Sequence, residues 1–393
     1  MAKPFSNITD ITLKQFNNLH TPCYVIDGDV IEENCKKMQY VMGITGCKIL
    51  LAQKAFSNFA YYSLVSKYLS GTEASGLYEA RLGKEEMPNK EVHVFCGAYK
   101  DEEFDELLKY ADHIVFNSIN QLKKFGVKAK NAGKSIGLRI NPECSTQEGH
   151  EIYDPCAKGS RLGVTKEVFD KEIDDNLLAL LDGIHLHTLC EQNSDALAIT
   201  FKAVEDKFGD ILPKMKWINM GGGHHISRDD YDVDCLIETV SLAKNKYGVQ
   251  VYLEPGEAIA LNAGYLVSRV LDEVNNAGVK NLILDASAAC HMPDVIEMPY
   301  MPPILNAEQG SKGKHCYRLT GPTCLAGDVI GDYSFDKEIK ENDMIVFGDM
   351  AIYSMCKNNT FNGMPLPTIY GIKDGKINTI KEFGYSDFKN RLG

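Results

Sequence analysis

Ile49-Leu50-Leu51-Ala52-Gln53-Lys54-Ala55 is the stretch on which the reading of this chain turns. A short apolar run of this kind reads as a buried strand, and a lysine closes it. A buried ammonium is costly unless it is paired or neutralised, and a lysine loses its proton readily when desolvated. An amine delivered to the mouth of a barrel strand is what Schiff-base chemistry needs. A lysine that only snorkels from a strand end has the same local sequence. Lys54 taken alone leaves both readings open.

Outward from that stretch the same pattern recurs. Short apolar runs cover 47–51, 71–75, 92–95, 113–116, 136–140, 183–187, 217–220 and 251–253. Each is followed by a helix-like segment, and 101–111 and 194–208 carry apolar residues at helical spacing. Strand–helix alternation of this length predicts an α/β fold whose N-terminal part is a (β/α)₈ TIM-like barrel. A doubly wound open sheet is the other solution, but no GxGxxG fingerprint follows the first strand. The pattern changes after about residue 265. The stretches 266–274, 281–285, 315–319, 344–347 and 367–372 are strand-like and separated by Asn/Gly/Pro/Asp-rich turns, which predicts a mostly β C-terminal domain. The early run 22–26 precedes the first barrel strand by a helix and is a candidate extra strand of that domain. The expected division is therefore a barrel over 40–265 and a β domain built from 1–39 plus 266–393.

Composition narrows the function classes. The chain has 393 residues, 44% hydrophobic and 24% charged, with a net charge of −12. That balance argues against nucleic acid or an anionic membrane as partner and suits a cationic substrate. Met1-Ala2-Lys3-Pro4-Phe5-Ser6-Asn7 has no apolar core before a small-residue cleavage site, and no apolar run is long enough to span a bilayer. Twelve cysteines without a CxxC pair suit reduced thiols. The expectation is a cytoplasmic protein.

Chemistry-bearing residues gather at the carboxyl ends of the expected strands, where barrel enzymes place their sites. In His185-Leu186-His187, alternation puts both imidazoles on one face. Such a pair either ligates a metal or lends one ring to a planar cofactor. A metal site would also want further ligands at other strand ends, and His224 and His225 could supply imidazole. Gly221-Gly222-Gly223 allows close backbone approach to an anion, with phosphate the usual guest. Pro255 and Gly256 end the eighth run and aim Glu254 into the mouth, where a carboxylate opposite a pyridine nitrogen keeps that nitrogen protonated. Gly321-Pro322-Thr323-Cys324 sets a thiol after a rigid turn, and Tyr353 follows in Asp349-Met350-Ala351-Ile352-Tyr353.

Taken in order, lysine after the first strand, His187, the glycine turn, Glu254-Pro255-Gly256, the Gly321–Cys324 turn (GPTC) and the late tyrosine resemble the fold-type III pyridoxal phosphate-dependent decarboxylases. These have the alanine racemase-like fold, with ornithine and diaminopimelate decarboxylases among them. Within that group four stretches are similar to the carboxynorspermidine/carboxyspermidine decarboxylases: residues 72–79 (TEASGLYE), 183–190 (GIHLHTLC), 254–258 (EPGEA) and 291–300 (HMPDVIEMPY). The resemblance implies that Lys54 holds the cofactor, His187 stacks on its pyridine face and Glu254 contacts the ring nitrogen. It implies that Gly221, Gly222, Gly223 and Tyr353 hold the phosphate. It also implies that Cys324 reaches the active site of a second subunit as proton donor, so that a homodimer is the minimal active unit. Asp294, Glu297 and Asp328 are the expected contacts for the distal amines of a carboxylated polyamine. No metal is implied. Two departures stand out. Glu257 occupies the position after Glu254-Pro255-Gly256 where ornithine and diaminopimelate decarboxylases carry a phosphate-pairing arginine, and Cys190 stands where relatives often have serine. Glu257 is therefore expected to point away from the phosphate. Diaminopimelate decarboxylation, a barrel metallohydrolase and an inactive regulator of polyamine metabolism are the rival readings.

Overall fold

The computed structural model describes residues 5–147 and 153–393, so residues 1–4 of the N-terminal stretch read above lie outside it. The chain divides into two units, Glu33–Ile259 and Met1–Glu32 with Ala260–Gly393. The strands run in chain order as β1 (Cys23–Asp27), β2 (Lys48–Ala52), β3 (Gly71–Ala74), β4 (Glu91–Phe95), β5 (His113–Phe116), β6 (Ser135–Arg139), β7 (Gly183–His185), β8 (Trp217–Asn219) and β9 (Gln250–Leu253). Strands β2 to β9 form a closed parallel barrel, β9 returning to β2 through Lys48↔Tyr252 and Ile49↔Leu253. Each of the eight expected runs is one of its staves, within one or two residues at the ends.

Alternation explains why the deciding run looks uniformly apolar. Leu50 points into the barrel, where it packs with Val115, Trp217 and Tyr252, while Ile49 and Leu51 are buried on the opposite, helix-facing side. Trp217, the chain's single tryptophan, crosses this interior. It fits because β6 and β7 carry glycine beside it. A Cβ on Gly183 would lie 2.1 Å from its Cδ2, and one on Gly137 2.4 Å from its Cη2. Its Nε1 donates to Ser135 Oγ at 2.8 Å, satisfying the buried indole.

At the amino ends of the strands the interior is polar. Glu91 accepts from Lys48 and lies 3.2 Å from His93 Nε2, and the His93 and His113 rings stack at 3.8 Å. Burial works against an ionised Glu91, but His93 and Lys48 outweigh it and hold the carboxyl at about 2. Burial, reinforced by His93, pushes His113 down to about 3, so it is a neutral ring.

The outer helices follow from the same periodicities. Ser194–Phe208 buries Ala196, Leu197, Thr200, Phe201, Val204 and Phe208, and Asn193 Oδ1 caps its first amide.

The second unit is a mixed sheet. Its further strands are β10 (Gly264–Asn276), β11 (Val279–Leu284), β12 (Ala307–Gln309), β13 (His315–Thr320), β14 (Val329–Phe335), β15 (Met344–Gly348), β16 (Thr368–Lys373) and β17 (Lys376–Lys381). Their order is β12-β14-β13-β11-β10-β1-β16-β17, with β15 also paired to β10. The early run joins as expected: β1 pairs antiparallel with β10 and parallel with β16. Phe16, Cys23, Val25, Tyr265, Val267, Val346 and Tyr370 make its core. Strands β12, β14 and β17 were not legible from hydrophobic pattern. Gly331 and Asp332 interrupt β14, and β17 is a mostly exposed polar edge.

Candidate active site

Lys54 sits two residues beyond the end of β2, half-buried in the turn Gln53-Lys54-Ala55. Side chains and backbone fix that turn from two sides. Gln53 Nε2 donates to the carbonyls of Glu73 (3.2 Å) and Glu79 (2.9 Å), and its Oε1 accepts from Tyr62 Oη at 3.0 Å. On the other side Ala52 N donates to Pro255 O at 3.2 Å. Gly256 has to be glycine there, because a Cβ would stand 2.7 Å from Ala55 Cβ and 2.8 Å from Ala52 O. The lysine turn and the Glu254-Pro255-Gly256 turn are thus one packed unit.

Glu254 follows β9 directly and is 4% exposed. Asn219 Nδ2 donates to its Oε1 at 2.5 Å and His185 Nε2 to its Oε2 at 3.0 Å. Burial alone would raise its pKa, but the His185 interaction and the Asn219 hydrogen bond prevail and hold it at about 2. Burial keeps His185 below the usual imidazole range despite that carboxylate. The pair is therefore an ionised carboxylate bonded to a neutral ring, and each carboxylate oxygen keeps lone-pair capacity for another donor.

The two imidazoles of the HxH pair go to different partners. His185 serves Glu254, whereas His187 Nδ1 accepts from Gly222 N at 2.9 Å. Burial, reinforced by Lys54 and Arg139, holds His187 far below its ordinary pKa, so this ring is neutral as well. The glycine turn is pressed onto its neighbours. Gly221 and Gly223 adopt φ of 72° and 80°, and a Cβ on Gly222 would lie 2.3 Å from Glu254 O. Its donors are fewer than the glycine count suggests, since Gly221 N is already given to Asn219 Oδ1 at 2.9 Å and Gly222 N to His187.

Two charged residues at this end of the barrel escaped the sequence reading. Arg139, the last residue of β6, is 4% exposed; it donates to His187 O at 3.1 Å and lies over Phe95, which stacks on His185. Burial lowers it to about 10. Glu73, in β3, is 2% exposed, with Oε2 lacking a hydrogen-bond partner among the described residues. Burial raises it to about 8, with Lys54 opposing and Glu254 reinforcing. The available signal was a charge inside an otherwise buried run, at 73 within 71–75 and at 139 within 136–140.

The remaining expected residues belong to the sheet unit. Tyr353 has φ 50°, a left-handed conformation that a bulky residue adopts only where its surroundings impose it. Cys324 is exposed, and its amide donates to Asn362 Oδ1 at 2.7 Å. Lys357 bonds to both Asp294 and Glu297, so these carboxylates already share one ammonium. Asp328 is 2% exposed and accepts from Ser287 Oγ (2.9 Å), Thr323 Oγ1 (2.6 Å) and Ala289 N (3.3 Å). It is a strut for the Gly321–Cys324 turn.

The barrel residues fit pyridoxal phosphate on structural grounds. Among the described residues, several buried polar atoms without partners lie at this end of the barrel, on Glu73, His185, His224 and His225, as expected of a cradle for a polar ligand. An ionised carboxylate, an amine and a close-approach glycine turn accompany them.

Comparison with known proteins agrees. The family described as pyridoxal-dependent decarboxylase, C-terminal sheet domain, matches residues 23–351. The chain is 41% identical over 388 residues to the carboxynorspermidine/carboxyspermidine decarboxylase of Campylobacter jejuni, covering 96% of this chain and 99% of that one. It is 36% identical over 381 residues to the carboxyaminopropylagmatine decarboxylase of Synechocystis, covering 96% and 97%. A solved structure of Campylobacter jejuni carboxynorspermidine decarboxylase with norspermidine superposes with a TM-score of 0.86 at 42% identity, covering 95% of this chain and all of that one. The chain belongs to the pyridoxal-dependent decarboxylase family, in its carboxynorspermidine/carboxyspermidine decarboxylase branch.

Proposed function

We propose that this enzyme removes the α-carboxylate of carboxynorspermidine or carboxyspermidine, releasing norspermidine or spermidine and CO₂. The observation that carries the reading is Glu254, a buried carboxylate held ionised by His185 and Asn219 and packed through Gly256 against the turn of Lys54. Pyridoxal phosphate, when bound, supplies an aldehyde and an electron-withdrawing pyridinium ring. Lys54 Nζ is the anchor for the aldehyde carbon. Glu254 holds a proton at the ring nitrogen, which a carboxylate of low pKa does by ion pairing. His187, a neutral imidazole oriented by the Gly222 N–H it accepts, would stack on the cofactor ring. The glycine turn and Tyr353 receive the phosphate. Cys324, contributed from a second copy in a homodimer, delivers the proton to the substrate Cα. Asp294 and Glu297 take the distal ammonium groups, exchanging Lys357 for the substrate. A cytoplasmic setting suits the twelve free cysteines.

Carboxyaminopropylagmatine is a second reading of the substrate, supported by the 36% identity to the Synechocystis enzyme. Steady-state kinetics on the three carboxylated amines, with diaminopimelate, ornithine and arginine as controls, separate these. Carboxynorspermidine and carboxyspermidine differ by one methylene, worth roughly 10–200-fold in kcat/KM. Faster turnover of diaminopimelate than of all three would overturn the substrate class.

A further inference from the structure

The glycine turn runs directly into His224-His225, and His225 is buried, with 6% of its surface exposed. Its Nε2 lies 3.1 Å from Glu257 Oε2 as an ion pair without hydrogen-bond geometry, and its Nδ1, also buried, has no hydrogen-bond partner among the described residues. Glu191 adds a second carboxylate, with one ligand atom from each of the three residues lying within 4.8 Å of the others. Glu191 reaches this place from a left-handed backbone, φ 54°. The loops after β7, β8 and β9 therefore converge on one imidazole flanked by two carboxylates, with Glu257 beside Nε2 and Nδ1 unpartnered among the described residues.

The turn itself lacks what that imidazole offers. With Gly221 N and Gly222 N committed to Asn219 and His187, few amides are left for an anion. A phosphate in a buried site needs positive charge as well as amide dipoles, and residues 219–225 contain neither lysine nor arginine.

We propose that His225, gripped by Glu257, is the cation this enzyme turns toward the phosphate of its cofactor, and that Glu257 is a positioning residue acting through it. The inference deepens the pyridoxal phosphate assignment and rests on it. The groups facing His225 are Glu257 and Glu191 from the neighbouring loops and Arg228 and His224 from its own. Burial disfavours the imidazolium and Arg228 opposes it, but the two carboxylates prevail and the pKa of His225 is raised. Glu257, repulsive to phosphate if it faced it bare, becomes useful once an imidazolium stands between the two. Nδ1–H then has in the phosphate an acceptor that no described residue provides.

The test compares the affinity of apoenzyme for pyridoxal phosphate with that for pyridoxal, which keeps the aldehyde and lacks the phosphate. His225→Gln should weaken pyridoxal phosphate by roughly 10- to 100-fold and leave pyridoxal unchanged. Glu257→Gln should shift to lower pH the point at which the wild-type preference for the phosphate form is lost. The sign follows from the raised pKa: the preference is full below it and fades as pH rises through it. This wild-type profile, with the phosphorus-31 resonance of bound cofactor followed alongside, needs no variant to fold. A folded His225→Gln protein with an unchanged ratio, or a wild-type ratio flat with pH, overturns the proposal. A ratio that collapses on chelation and returns with magnesium or zinc overturns it in favour of a metal on the same three residues. Wild-type protein that binds neither compound refutes the cofactor reading instead.

Discussion

Gly183→Ala tests whether packing inside the barrel sets the geometry of its mouth. The added Cβ would stand 2.1, 2.3 and 2.4 Å from Cδ2, Cε3 and Cε2 of Trp217. Carbon atoms in contact sit about 3.5–4.0 Å apart, so the indole must retreat by more than 1 Å, roughly. It has nowhere to go. Gly137 already abuts its far edge, Tyr252 meets it edge-on at 6.2 Å, and Ser135 Oγ holds Nε1 at 2.8 Å. Overpacking of this kind costs about 1–3 kcal/mol, and a lost indole hydrogen bond adds about 1 kcal/mol. For a unit of this size that corresponds to a melting point lower by roughly 5–15 °C, read by calorimetry or circular dichroism on the apoprotein. The effect should reach the site as well, because Gly183 and His185 lie on the same face of β7, two residues apart. A displaced strand draws His185 from Glu254, and turnover falls with stability. The control is the same substitution in a Trp217→Leu background, where the obstacle is gone and most of the penalty should vanish. If Gly183→Ala melts with the wild type, or loses as much with leucine at 217, the packing account is wrong.

Three further outcomes are expected. Lys54→Ala should lose the visible absorbance of bound cofactor and turn over on the order of 10³-fold more slowly or worse, and a variant that keeps both would refute the anchoring role. Glu254 is depressed from its ordinary 4.5 to about 2, so it contributes stability above the unfolded pKa that is lost as pH falls through that window. Urea midpoints of Glu254→Gln should decline less steeply there than those of the wild type, the slope that remains coming from groups such as Glu91, also held at about 2. Glu73 is raised from 4.5 to about 8, so the apoprotein should lose stability as pH rises through that range. Glu73→Gln should remove that slope and match the wild type near pH 5, and an unchanged slope would mean that Glu73 is ionised in the folded apoprotein.

The staves of the barrel were legible because each lies between buried faces, so that Ile49, Leu50 and Leu51 are apolar whichever way they point. The sheet unit was harder to read for the opposite reason. Strand β17 buries little, and β14 is broken by glycine and aspartate, so neither keeps the period of two on which recognition depends. Lys54, His187 and Glu254 could be named in advance because they stand just past strand ends. What could not be read was partnership. Sequence offers Asp294, Glu297 and Asp328 as equal carboxylates, yet the first two share Lys357 and the third supports its own turn. Glycines likewise advertise amides without saying that Asn219 and His187 already use two of them. The strain at Tyr353 is a property of backbone that no residue type announces.

Two glutamates at one end of a barrel show how the same side chain is put to opposite use. Glu254 and Glu73 are both nearly excluded from water, and burial alone would neutralise both. Glu254 escapes because Asn219 and His185 each present an N–H to it. Glu73 has Lys54 and Arg139 as favourable charges, but burial outweighs them, Glu254 and Glu79 add to it, and one of its oxygens has no donor among the described residues. The pair is thus split into a fixed anion and a carboxyl that holds a proton near neutrality, a division that marks acid and base assignments in enzymes. The fixed anion suits the ring nitrogen, which must stay protonated throughout turnover. The neutral carboxyl exchanges its proton most readily at the working pH and responds to the charge on Lys54. If anchoring the cofactor released the Lys54 proton to solvent, the favourable interaction of that charge with ionised Glu73 would be lost and the Glu73 pKa would rise further. Difference infrared spectra of the carboxyl C=O band on adding cofactor to apoenzyme, compared with Glu73→Gln, should show proton uptake at this residue. A band unchanged by cofactor would separate the two groups and leave Glu73 a spectator of the lysine's chemistry.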